Sequence, residues 1–573
     1  MTHSPSATPD DPAPSPAATP LRPWLQHYDA GVPQHLSYPR IPLYRLLDDT
    51  AAKTPAAPCT SFFGKRMTYW DMREASDHFA AGLQAVGVRK GDRVALLLPN
   101  SPQFIIAYCG ILKVGAVIVP LNPLYTEREL TFHLSDSGAE TIVTIPLFLE
   151  KVTALIGSTP LKRVIASRIA DFLPFPLSLG SSLQERRQMR GIDTGKLIPF
   201  GSLLKQALPK DWQPEPVSPD DMAVLIYSGG TTGAAKGIML SHFALVANAH
   251  QLQAWVTLGP EERMLAVLPL FHGFGMSVTM NAPLLAGAEI VLLPRFQVEN
   301  VLKTIQKTRP TFLVGVPTMF VAFANVPNVG KYDLHSLKGI FVGAAPLTKG
   351  IKDEFESRSG ARLIEGYGLT EAVTAIMANP YKGTHKFGSI GLPFSDVDCK
   401  IVALDGSADL PPGESGEIVL RSPTMMLGYY KNSSETTAAM NDGWLFTGDI
   451  GHMDEEGYFY ITDRKKELII VGGFNVFPRE IDELISLHPK VKEGITVGIP
   501  DERKGERIKV FIVLKQGEKA TAEEFIAYFR ERLVAYKVPS EVEFRSELPK
   551  SMIGKILRRQ LREEEIGRRK DVG

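Results

Sequence analysis

Short apolar runs alternate with segments of helical periodicity along much of this chain. Residues 94–98, 117–119 and 141–145 are almost wholly apolar, which is typical of strands buried on both faces. Between them the apolar positions recur every three or four residues, and Thr68-x-x-Asp71 and Thr126-x-x-Glu129 form the start signals of two helices. The same alternation resumes at 264–268, 289–293, 312–316 and 339–342. The pattern predicts an α/β fold in which parallel-rich sheets are layered with helices.

The pattern changes towards the carboxyl end. Segments 400–403 and 416–421 read as antiparallel strands of a small β-rich subdomain, with turn signals between them. After 463–466 a compact unit of roughly 110 residues begins, the size of a small domain, with a helix at 478–487 and another capped by Thr521-x-x-Glu524. The sequence therefore predicts a large N-terminal domain over 23–463 and a small α+β C-terminal domain over 467–573. The charged residues from 558 onward are expected to be solvated.

Residues 1–22 are rich in Pro, Ala, Ser and Thr and contain no apolar core segment, so they are predicted to be a disordered leader and not a secretory signal. The most apolar stretch, 104–121, is interrupted by Lys113 and by glycine and proline, so it is interpreted as buried core and not as a membrane span.

Residues 166–195 interrupt the alternation. Large apolar residues and two prolines between 169 and 180 precede Arg186, Arg187 and Arg190. Two interpretations stay open: a loop whose apolar side chains pack on the body of the protein, or a peripheral contact in which the apolar groups enter a membrane surface beside anionic lipid.

Composition argues against a nucleic-acid-binding protein and against a disulfide-stabilised protein. The 573 residues include 63 basic and 63 acidic side chains, so no strong basic field indicates a nucleic-acid partner. Three widely separated cysteines favour reduced core residues and a cytoplasmic location over a disulfide framework.

Residues 227–237 contain four glycines, three hydroxyl residues and Lys236 directly after the apolar run 222–226. A loop of this kind lets backbone N–H groups close on an anion while the hydroxyls and the ammonium add donors, which predicts a phosphate-binding loop. It is not the common P-loop, since Lys236 lies between Ala235 and Gly237. No dinucleotide fingerprint is found elsewhere either: the pairs Gly366/Gly368 and Gly273/Gly275 begin a Gly-x-Gly-x-x-Gly pattern, but Glu371 and Val278 occupy its last position.

Further motifs follow this loop in order: Glu-Gly-Tyr-Gly-Leu-Thr-Glu at 365–371, Phe-Thr-Gly-Asp at 446–449, Asp-Arg at 463–464 and Pro-Lys-Ser-Met-Ile-Gly-Lys at 549–555. With them the chain closely resembles the AMP-forming acyl-CoA synthetases of the adenylate-forming superfamily, over about residues 22–562. Segments 22–25, 122–129 and 473–480 and the doubled Gly229-Gly230 are similar to bacterial long-chain fatty-acid CoA ligases. Ala235 replaces the proline common elsewhere in the superfamily.

The resemblance implies a two-step reaction. A fatty-acid carboxylate attacks the α-phosphate of ATP to give an acyl-adenylate and pyrophosphate, and the thiol of CoA then displaces AMP. Charge neutralisation and positioning should supply most of the catalysis. The implied partners are ATP with Mg²⁺, a fatty acid and CoA, and the location is cytoplasmic or peripheral on the inner face of the membrane. A homodimer is one of the assembly states left open.

The resemblance also implies roles for particular residues. Lys555 is the catalytic ammonium of adenylation, Thr370 contacts the α-phosphate, Glu371 binds Mg²⁺, Asp449 and Arg464 bind the ribose, and Lys466 is the hinge within 464–466. The phosphate loop contributes Ser228, Gly229, Gly230, Thr231, Thr232, Gly233 and Lys236. The rest of the nucleotide site comprises Gly343, Ala344, Ala345, Glu365, Gly366, Tyr367 and Gly368.

The remaining implied residues concern the acyl chain and CoA. The acyl pocket is assigned to His272, Met276, Val314 and Gly315, and the CoA tunnel to Gly472, Gly473 and Phe474. Ile470 stands where some relatives carry a lysine used in their second step, which disfavours luciferase-like oxidation. Three alternatives remain: a ligase for medium-chain or aryl acids, an enzyme that loads a carrier protein, and a catalytically silent acyl- or nucleotide-binding protein.

Overall fold

A computed structural model describes residues 22–228, 235–327, 329–344, 347–472, 474–501, 503, 505–550 and 556–570. Apart from Arg22, the predicted disordered leader lies outside these residues. Arg22 forms an ion pair of 2.6 Å with Asp398, and Trp24 is fully buried two residues later.

The described strands are β1 (Pro58–Phe62), β2 (Lys65–Thr68), β3 (Arg93–Leu97), β4 (Val117–Pro120), β5 (Thr141–Thr144), β6 (Arg163–Ala166), β7 (Leu197–Pro199), β8 (Met222–Ser228), β9 (Lys236–Ser241), β10 (Arg263–Ala266), β11 (Glu289–Leu292), β12 (Phe312–Gly315), β13 (Gly339–Val342), β14 (Arg362–Tyr367), β15 (Met377–Ala378), β16 (Leu392–Pro393), β17 (Asp398–Val402), β18 (Asp409–Leu410), β19 (Gly416–Arg421), β20 (Gly428–Tyr429), β21 (Met440–Asn441), β22 (Trp444–Met453), β23 (Phe459–Arg464), β24 (Ile469–Val471), β25 (Phe474–Val476), β26 (Val491–Asp501), β27 (Gly505–Leu514) and β28 (Glu541–Phe544).

The described α-helices are α1 (Arg45–Lys53), α2 (Tyr69–Ala85), α3 (Pro102–Lys113), α4 (Glu127–Ser137), α5 (Leu149–Ala154), α6 (Leu177–Gln188), α7 (Phe200–Leu203), α8 (His242–Val256), α9 (Gly273–Met276), α10 (Ala282–Ala286), α11 (Val298–Thr308), α12 (Pro317–Ala324), α13 (Lys349–Ser359), α14 (Ser433–Ala439), α15 (Pro478–Leu487), α16 (Ala522–Arg530) and α17 (Arg558–Lys570). Short 3₁₀ turns lie at Pro23–His27, Pro146–Phe148, Ile169–Phe172, Thr194–Lys196, Val329–Lys331, Thr370–Ala372 and Ala535–Lys537, and a π-helical turn lies at Ser277–Asn281.

Two large, mainly parallel sheets form the body of the molecule, as the apolar runs predicted. One has the order β16-β15-β14-β13-β12-β10-β11-β1-β2 and the other β20-β9-β8-β4-β3-β5-β6-β7. Apolar residues on helices and strands of both sheets join in one buried core. The two predicted capping boxes are present: Thr68 and Thr126 each accept a hydrogen bond from the backbone N–H three residues on, at the starts of α2 and α4.

The two smaller sheets match the predicted β-rich and α+β units. The first has the order β18-β17-β19-β22-β21, with β23 paired to β22, and its pairings are antiparallel. The second has the order β25-β24-β27-β26, with β28 parallel to β27, and α15 and α16 pack against it through a core of their own. The fold class predicted from the sequence is therefore confirmed.

Two local expectations were wrong. Residues 166–195 do not form only a loop, because α6 occupies the middle of this segment. Residues from 558 onward are not simply solvated, because α17 docks against the C-terminal sheet through the fully buried Leu561, and Glu565 pairs with the buried Lys509 at 2.8 Å. In both cases a few buried side chains hold one face of the helix against the protein. The proline-rich sequence around α6 and the charge-rich sequence of α17 do not reveal these contacts.

The segment 104–121 is core, as predicted: it supplies the buried helix α3 and the strand β4. Among the described residues no helix is both long and apolar enough to cross a membrane. The three cysteines are free and buried, in agreement with the expectation of reduced core residues.

Candidate active site

The candidate site lies at the carboxyl ends of β10, β13 and β14, which belong to the same parallel sheet. Loops at this edge of an open α/β sheet commonly form ligand sites, because several strands end at the same place. His272 lies in the loop after β10, Gly343 and Ala344 follow β13, and Gly368 follows β14. The pairing of Val342 with Glu365 brings the last two loops together. A cavity opens among them, and the space of about 780 Å³ within its lining includes open solvent.

Three residues predicted to bind the nucleotide, Tyr367, Asp449 and Arg464, form a cluster beside this cavity, and Tyr367 also lines it. The Tyr367 hydroxyl donates a 2.6 Å hydrogen bond to Asp449 Oδ2, and Arg464 Nε lies 3.0 Å from Asp449 Oδ1. Asp449 and Arg464 are register partners in the β22–β23 pair, which explains why residues fifteen positions apart meet. Burial and the neighbouring Asp449 carboxylate raise the pKa of Tyr367, so its hydroxyl stays protonated and acts as a donor. The structure thus brings three predicted nucleotide-site residues into direct contact.

The turn after β14 is closely packed and strained. A Cβ placed on Gly368 would lie 1.1 Å from the Thr374 carbonyl oxygen, so only glycine fits there. Val373 and Thr374 have φ values of 58° and 85°, a left-handed conformation that β-branched residues rarely adopt. Strain of this order is retained at functional sites when surrounding contacts enforce it. Thr370 and Glu371 stand on this turn, so their positions are fixed.

A second cluster surrounds Glu371. The Tyr429 hydroxyl donates to Glu371 Oε1 at 2.9 Å, and the backbone N–H of Met426 donates to the Glu371 carbonyl at 2.8 Å. Lys236, at the exit of the phosphate loop, forms an ion pair with Glu435 and lies 4.9 Å from the centroid of the Tyr429 ring. Tyr429 and Glu435 were not predicted as site residues, since they belong to no phosphate motif and only the β20–β9 pairing brings them here.

The far end of the cavity is apolar. It is lined by Leu252, Trp255 and Val256 of α8, and by Leu258, Met264, Val278, Ala282 and Phe394. The rings of Trp255 and Phe394 lie 4.7 Å apart between centroids, and Trp255 Nε1 donates to the Asn379 carbonyl at 3.2 Å. Sequence reasoning missed this wall, because α8 reads as an ordinary buried helix.

Of the four residues predicted for the acyl pocket, His272 lines the cavity. Its Nδ1 accepts a hydrogen bond of 3.2 Å from the Phe274 N–H, and burial lowers its pKa, so the imidazole is neutral. Met276, Val314 and Gly315 are not among the lining residues of the cavity. A Cβ on Gly315 would meet the Phe320 ring at 2.8 Å, which shows that this position faces α12. These three assignments receive no support from the shape of the cavity.

The two described residues of the predicted CoA tunnel, Gly472 and Phe474, do not line the cavity. Gly472 and Phe474 belong to the turn and second strand of the β24–β25 hairpin. Phe474 stacks on Tyr536 with ring centroids 4.7 Å apart, and its side chain is exposed. In this arrangement of the C-terminal unit the hairpin does not contribute to the cavity lining.

Several predicted residues lie outside the described part of the chain: Gly229, Gly230, Thr231, Thr232, Gly233, Ala345, Gly473 and Lys555. Their assigned roles stay predictions. The described ends of the phosphate loop, Ser228 and Lys236, are register partners across the antiparallel β8–β9 pair. Glu365 lies within β14, where burial raises the pKa of its carboxyl, and its assigned role also stays a prediction.

The donor groups of the site fit a metal ion that arrives with a nucleotide better than a resident one. Within the described residues no group of three or more His, Cys, Asp or Glu side chains could hold a metal. Glu371 offers a single carboxylate, one oxygen of which Tyr429 occupies. One carboxylate together with substrate phosphates is a set of ligands that Mg²⁺ accepts.

A polar cluster around the buried Asp449, beside a largely apolar cavity, is the arrangement expected of an enzyme that uses a nucleotide and an apolar substrate. Comparison with known families agrees: residues 47–430 match the family described as AMP-binding enzyme, and residues 480–555 match the AMP-binding enzyme C-terminal domain. The chain belongs to the AMP-binding enzyme family.

Individual relatives cover nearly the whole chain. A long-chain-fatty-acid–CoA ligase of Bacillus subtilis (strain 168) is 42% identical over 95% of this chain and 98% of its own length. A feruloyl-CoA synthase of Amycolatopsis sp is 33% identical over 89% and 96%. The ATP-bound crystal structure of MatB from Rhodopseudomonas palustris superposes with a TM-score of 0.81, at 26% identity over 92% of this chain and 99% of that one.

Proposed function

We propose that this protein is an AMP-forming ligase that joins a long-chain fatty acid to CoA. The observation that carries the proposal is the continuity of one cavity, which runs from Tyr367 and Ala344 on the nucleotide side to the apolar wall around Trp255 and Phe394. An extended apolar pocket with polar groups at one end suits a carboxylate with an alkyl tail. The 42% identity to a relative named for this activity supports the same substrate class.

In the first step the fatty-acid carboxylate attacks the α-phosphorus of ATP, forming the acyl-adenylate and releasing pyrophosphate. The chain brings two anions together, so its cationic and donor groups act by neutralising charge and fixing geometry. Asp449 would accept from the ribose hydroxyls while Arg464 and Tyr367 hold it in place. Lys236 and the loop before it would bind the phosphates, and Thr370 would donate to the α-phosphate.

Glu371 would hold the Mg²⁺ that accompanies ATP, and this ion would supply further neutralisation of phosphate charge. Lys555 is assigned to the bridging position between the carboxylate and the α-phosphate. In the second step the CoA thiolate attacks the acyl carbonyl and AMP leaves. The hairpin carrying Gly472 and Phe474 would line the CoA path after the C-terminal unit has turned.

The substrate class is tested by AMP release with fatty acids of increasing chain length and with aryl acids, each with and without CoA. We expect kcat/KM to be greatest for long-chain acids. Repeated turnover, measured as AMP release, should require CoA. The 33% identity to a feruloyl-CoA synthase makes an aryl acid the second candidate. Preference for an aryl or medium-chain acid would select that alternative, and absence of ATP/pyrophosphate exchange with every acid would indicate a silent binding protein.

The catalytic role of Lys555 is tested by separating the two steps. The Lys555→Ala variant should form no AMP from fatty acid and ATP, yet should still make thioester from a supplied acyl-adenylate and CoA. Equal loss of both steps would contradict the role assigned to this lysine.

We also propose that the protein contacts the inner face of the membrane through α6 and the residues just before it. Phe175, Leu179 and Leu183 are 78%, 58% and 61% exposed. Leu179 and Leu183 lie one helical turn apart and lead into Arg186, Arg187 and Arg190, which are also exposed. The opposite side of α6 faces the protein, where the buried Glu185 pairs with Arg168 at 3.4 Å. An exposed apolar group followed by arginines is suited to an anionic bilayer surface.

Flotation with liposomes of phosphatidylglycerol and phosphatidylcholine tests this contact. The triple variant Phe175→Ser, Leu179→Ser and Leu183→Ser should lose most of the bound fraction. Leu124→Ser, which removes another exposed leucine elsewhere on the molecule, is the control and should float like the parent. Equal flotation of all three proteins would reject the proposal. Phe172 is left unchanged, since it packs towards Phe200 with ring centroids 6.5 Å apart.

A further inference from the structure

The ammonium of Lys236 is held by two groups that lie outside the phosphate loop. Its Nζ forms an ion pair with Glu435 and faces the Tyr429 ring at 4.9 Å from the centroid. The Lys236 side chain is only 13% exposed, so these contacts occur in a partly enclosed position. The lysine assigned to phosphate binding therefore already has an anionic partner within the protein.

The backbone fixes this anion in place. Tyr429 pairs with Ile238 across the β20–β9 ladder, and the Tyr430 N–H donates to the Gly237 carbonyl at 2.7 Å. Asn432 then caps α14 by accepting from the Glu435 N–H at 3.2 Å, which sets Glu435 in the first turn of the helix. The segment that contains β20 and the start of α14 is hydrogen-bonded to β9, the strand that begins at Lys236. This pairing places the Glu435 carboxylate beside Lys236.

The surroundings keep Glu435 ionised and able to exchange partners. The hydrogen bond from Lys236 lowers the pKa of the Glu435 carboxyl, and the charge of Lys466 lowers it further. The Glu435 side chain is 38% exposed, so the ion pair is open to water and to a competing anion. Tyr429 joins the same cluster to Glu371 by its 2.9 Å hydrogen bond.

We propose that Glu435 is a positioning residue that competes with the pyrophosphate portion of ATP for Lys236. This inference rests on the proposed function, in which the loop ending at Lys236 binds phosphates. When ATP binds, the ammonium exchanges the carboxylate for phosphate oxygens. When adenylation is complete, Glu435 takes the ammonium back and favours the departure of pyrophosphate. No covalent bond changes in this exchange.

The competition predicts that removing the charge of Glu435 tightens phosphate binding. A partly exposed ion pair contributes up to about 1 kcal/mol, and tenfold in affinity corresponds to about 1.4 kcal/mol, so the effect should be about two- to fivefold. AMP should be unaffected, because its single phosphate is assigned to Thr370 and not to Lys236. A residue that served only to hold the fold together would not produce this selectivity.

The test measures binding of inorganic pyrophosphate, ATP and AMP to the full chain by titration calorimetry in the presence of Mg²⁺. Glu435→Gln and Glu435→Ala should both bind pyrophosphate and ATP about two- to fivefold more tightly, with AMP affinity unchanged. Glu354→Gln is the matched control, because Glu354 is 39% exposed and pairs with Arg358 on α13, away from the site. Its affinities should equal those of the parent.

Unchanged or weaker pyrophosphate binding in the folded variants would overturn the inference. Equal changes for pyrophosphate and AMP would also overturn it, since the effect would then not act through Lys236. The measurement requires no acid substrate, so it is separate from the test of function. A protein that binds pyrophosphate as expected but activates no fatty acid would refute the proposed substrate and leave the role of Glu435 standing.

Discussion

Asp449 shows how a single buried carboxylate can organise a nucleotide site. Both of its oxygens already have partners, since Tyr367 donates to one and Arg464 faces the other. A carboxylate offers about four acceptor positions, so acceptor capacity remains for a ribose. The partners hold the group in one orientation before a ligand arrives, and that reduces the entropy lost on binding.

Replacing this charge tests the assignment of the ribose site. In Asp449→Asn the Tyr367 hydroxyl can still donate to the amide oxygen, but charged acceptance from the ribose is lost. Hydrogen bonds to charged groups contribute about 1.5–3 kcal/mol, so we expect the KM for ATP to rise by about ten- to a hundredfold. The KM for ATP of the parent and the variant is measured from initial rates of pyrophosphate release over a range of ATP concentrations.

Asp405→Asn is a suitable control for this substitution, because Asp405 is exposed in a turn of the small antiparallel sheet. It should have the parent KM. If Asp449→Asn has the same KM for ATP as the parent while its fold is intact, Asp449 does not contact the nucleotide.

At the scale of elements, Lys113 at the end of α3 joins three helices. Its ammonium is fully buried and lies 2.7 Å from Asp48 of α1, 2.5 Å from Asp77 of α2 and 2.9 Å from the Ser76 hydroxyl. Burial raises the pKa of the Asp48 carboxyl, and Lys113 lowers it in part. The lysine that interrupts the apolar stretch 104–121 is therefore the counter-ion of two carboxylates on neighbouring helices.

Lys113→Met should destabilise the protein by about 3–5 kcal/mol at pH 7, because two largely buried carboxylates lose their partner. A raised pKa means that the folded chain binds the proton more tightly than the unfolded chain, so this contribution to stability falls as the pH rises through the aspartate range. Without Lys113 the pKa of Asp48 rises further. The deficit relative to the parent should hence be largest at neutral pH and shrink near pH 4.

Urea unfolding of the parent and the variant at several pH values measures this difference. Lys303→Met is the control, since Lys303 is an exposed lysine on α11, and it should change stability little at any pH. A deficit that is independent of pH would mean that the loss comes from packing and not from the unpaired carboxylates.

Sequence periodicity predicts strands and helices well where the pattern of buried positions is regular and local. The strands near 94, 117, 141 and 312 and the helix 478–487 were found almost residue by residue, because buried parallel strands and capped helices leave local signals. Helices α6 and α17 were missed, since each is held by a few long-range contacts such as those of Glu185 and Leu561. Such contacts have no counterpart in local periodicity.

The site was predictable to a similar extent. Tyr367, Asp449 and Arg464 were assigned through motifs, and the structure places them in contact. Trp255, Phe394, Tyr429 and Glu435 were not, because no motif contains them. Tertiary packing brings Trp255 and Phe394 to the cavity wall, and it brings Tyr429 and Glu435 to Glu371 and Lys236. Motifs carry the chemistry common to a family, whereas the walls and counter-ions of a site depend on tertiary packing.

At the scale of the whole molecule, the junction between the two predicted domains is anchored on both sides. Lys465 pairs with Glu417 at 2.6 Å, and its N–H donates to the Gly448 carbonyl at 2.8 Å, which ties it to the N-terminal unit. Glu467 forms an ion pair with Arg558 of α17, which ties it to the C-terminal unit. Lys466 stands between these anchors and is exposed. A change in the backbone angles of this one residue would turn one unit against the other.

Lys466→Pro should separate the two steps of the reaction. Proline fixes φ near −65° and restricts the preceding residue, so the rotation needed to bring the β24–β25 hairpin to the cavity is blocked. We expect pyrophosphate release from ATP and fatty acid to stay within about threefold of the parent, while thioester formation falls about a hundredfold or more, as expected when a hinge is immobilised. Lys466→Ala removes the same charge but keeps the backbone free, so it should support both steps. If Lys466→Pro makes thioester as fast as Lys466→Ala, the domains do not turn at this residue, and the exposed hairpin must reach CoA by another movement.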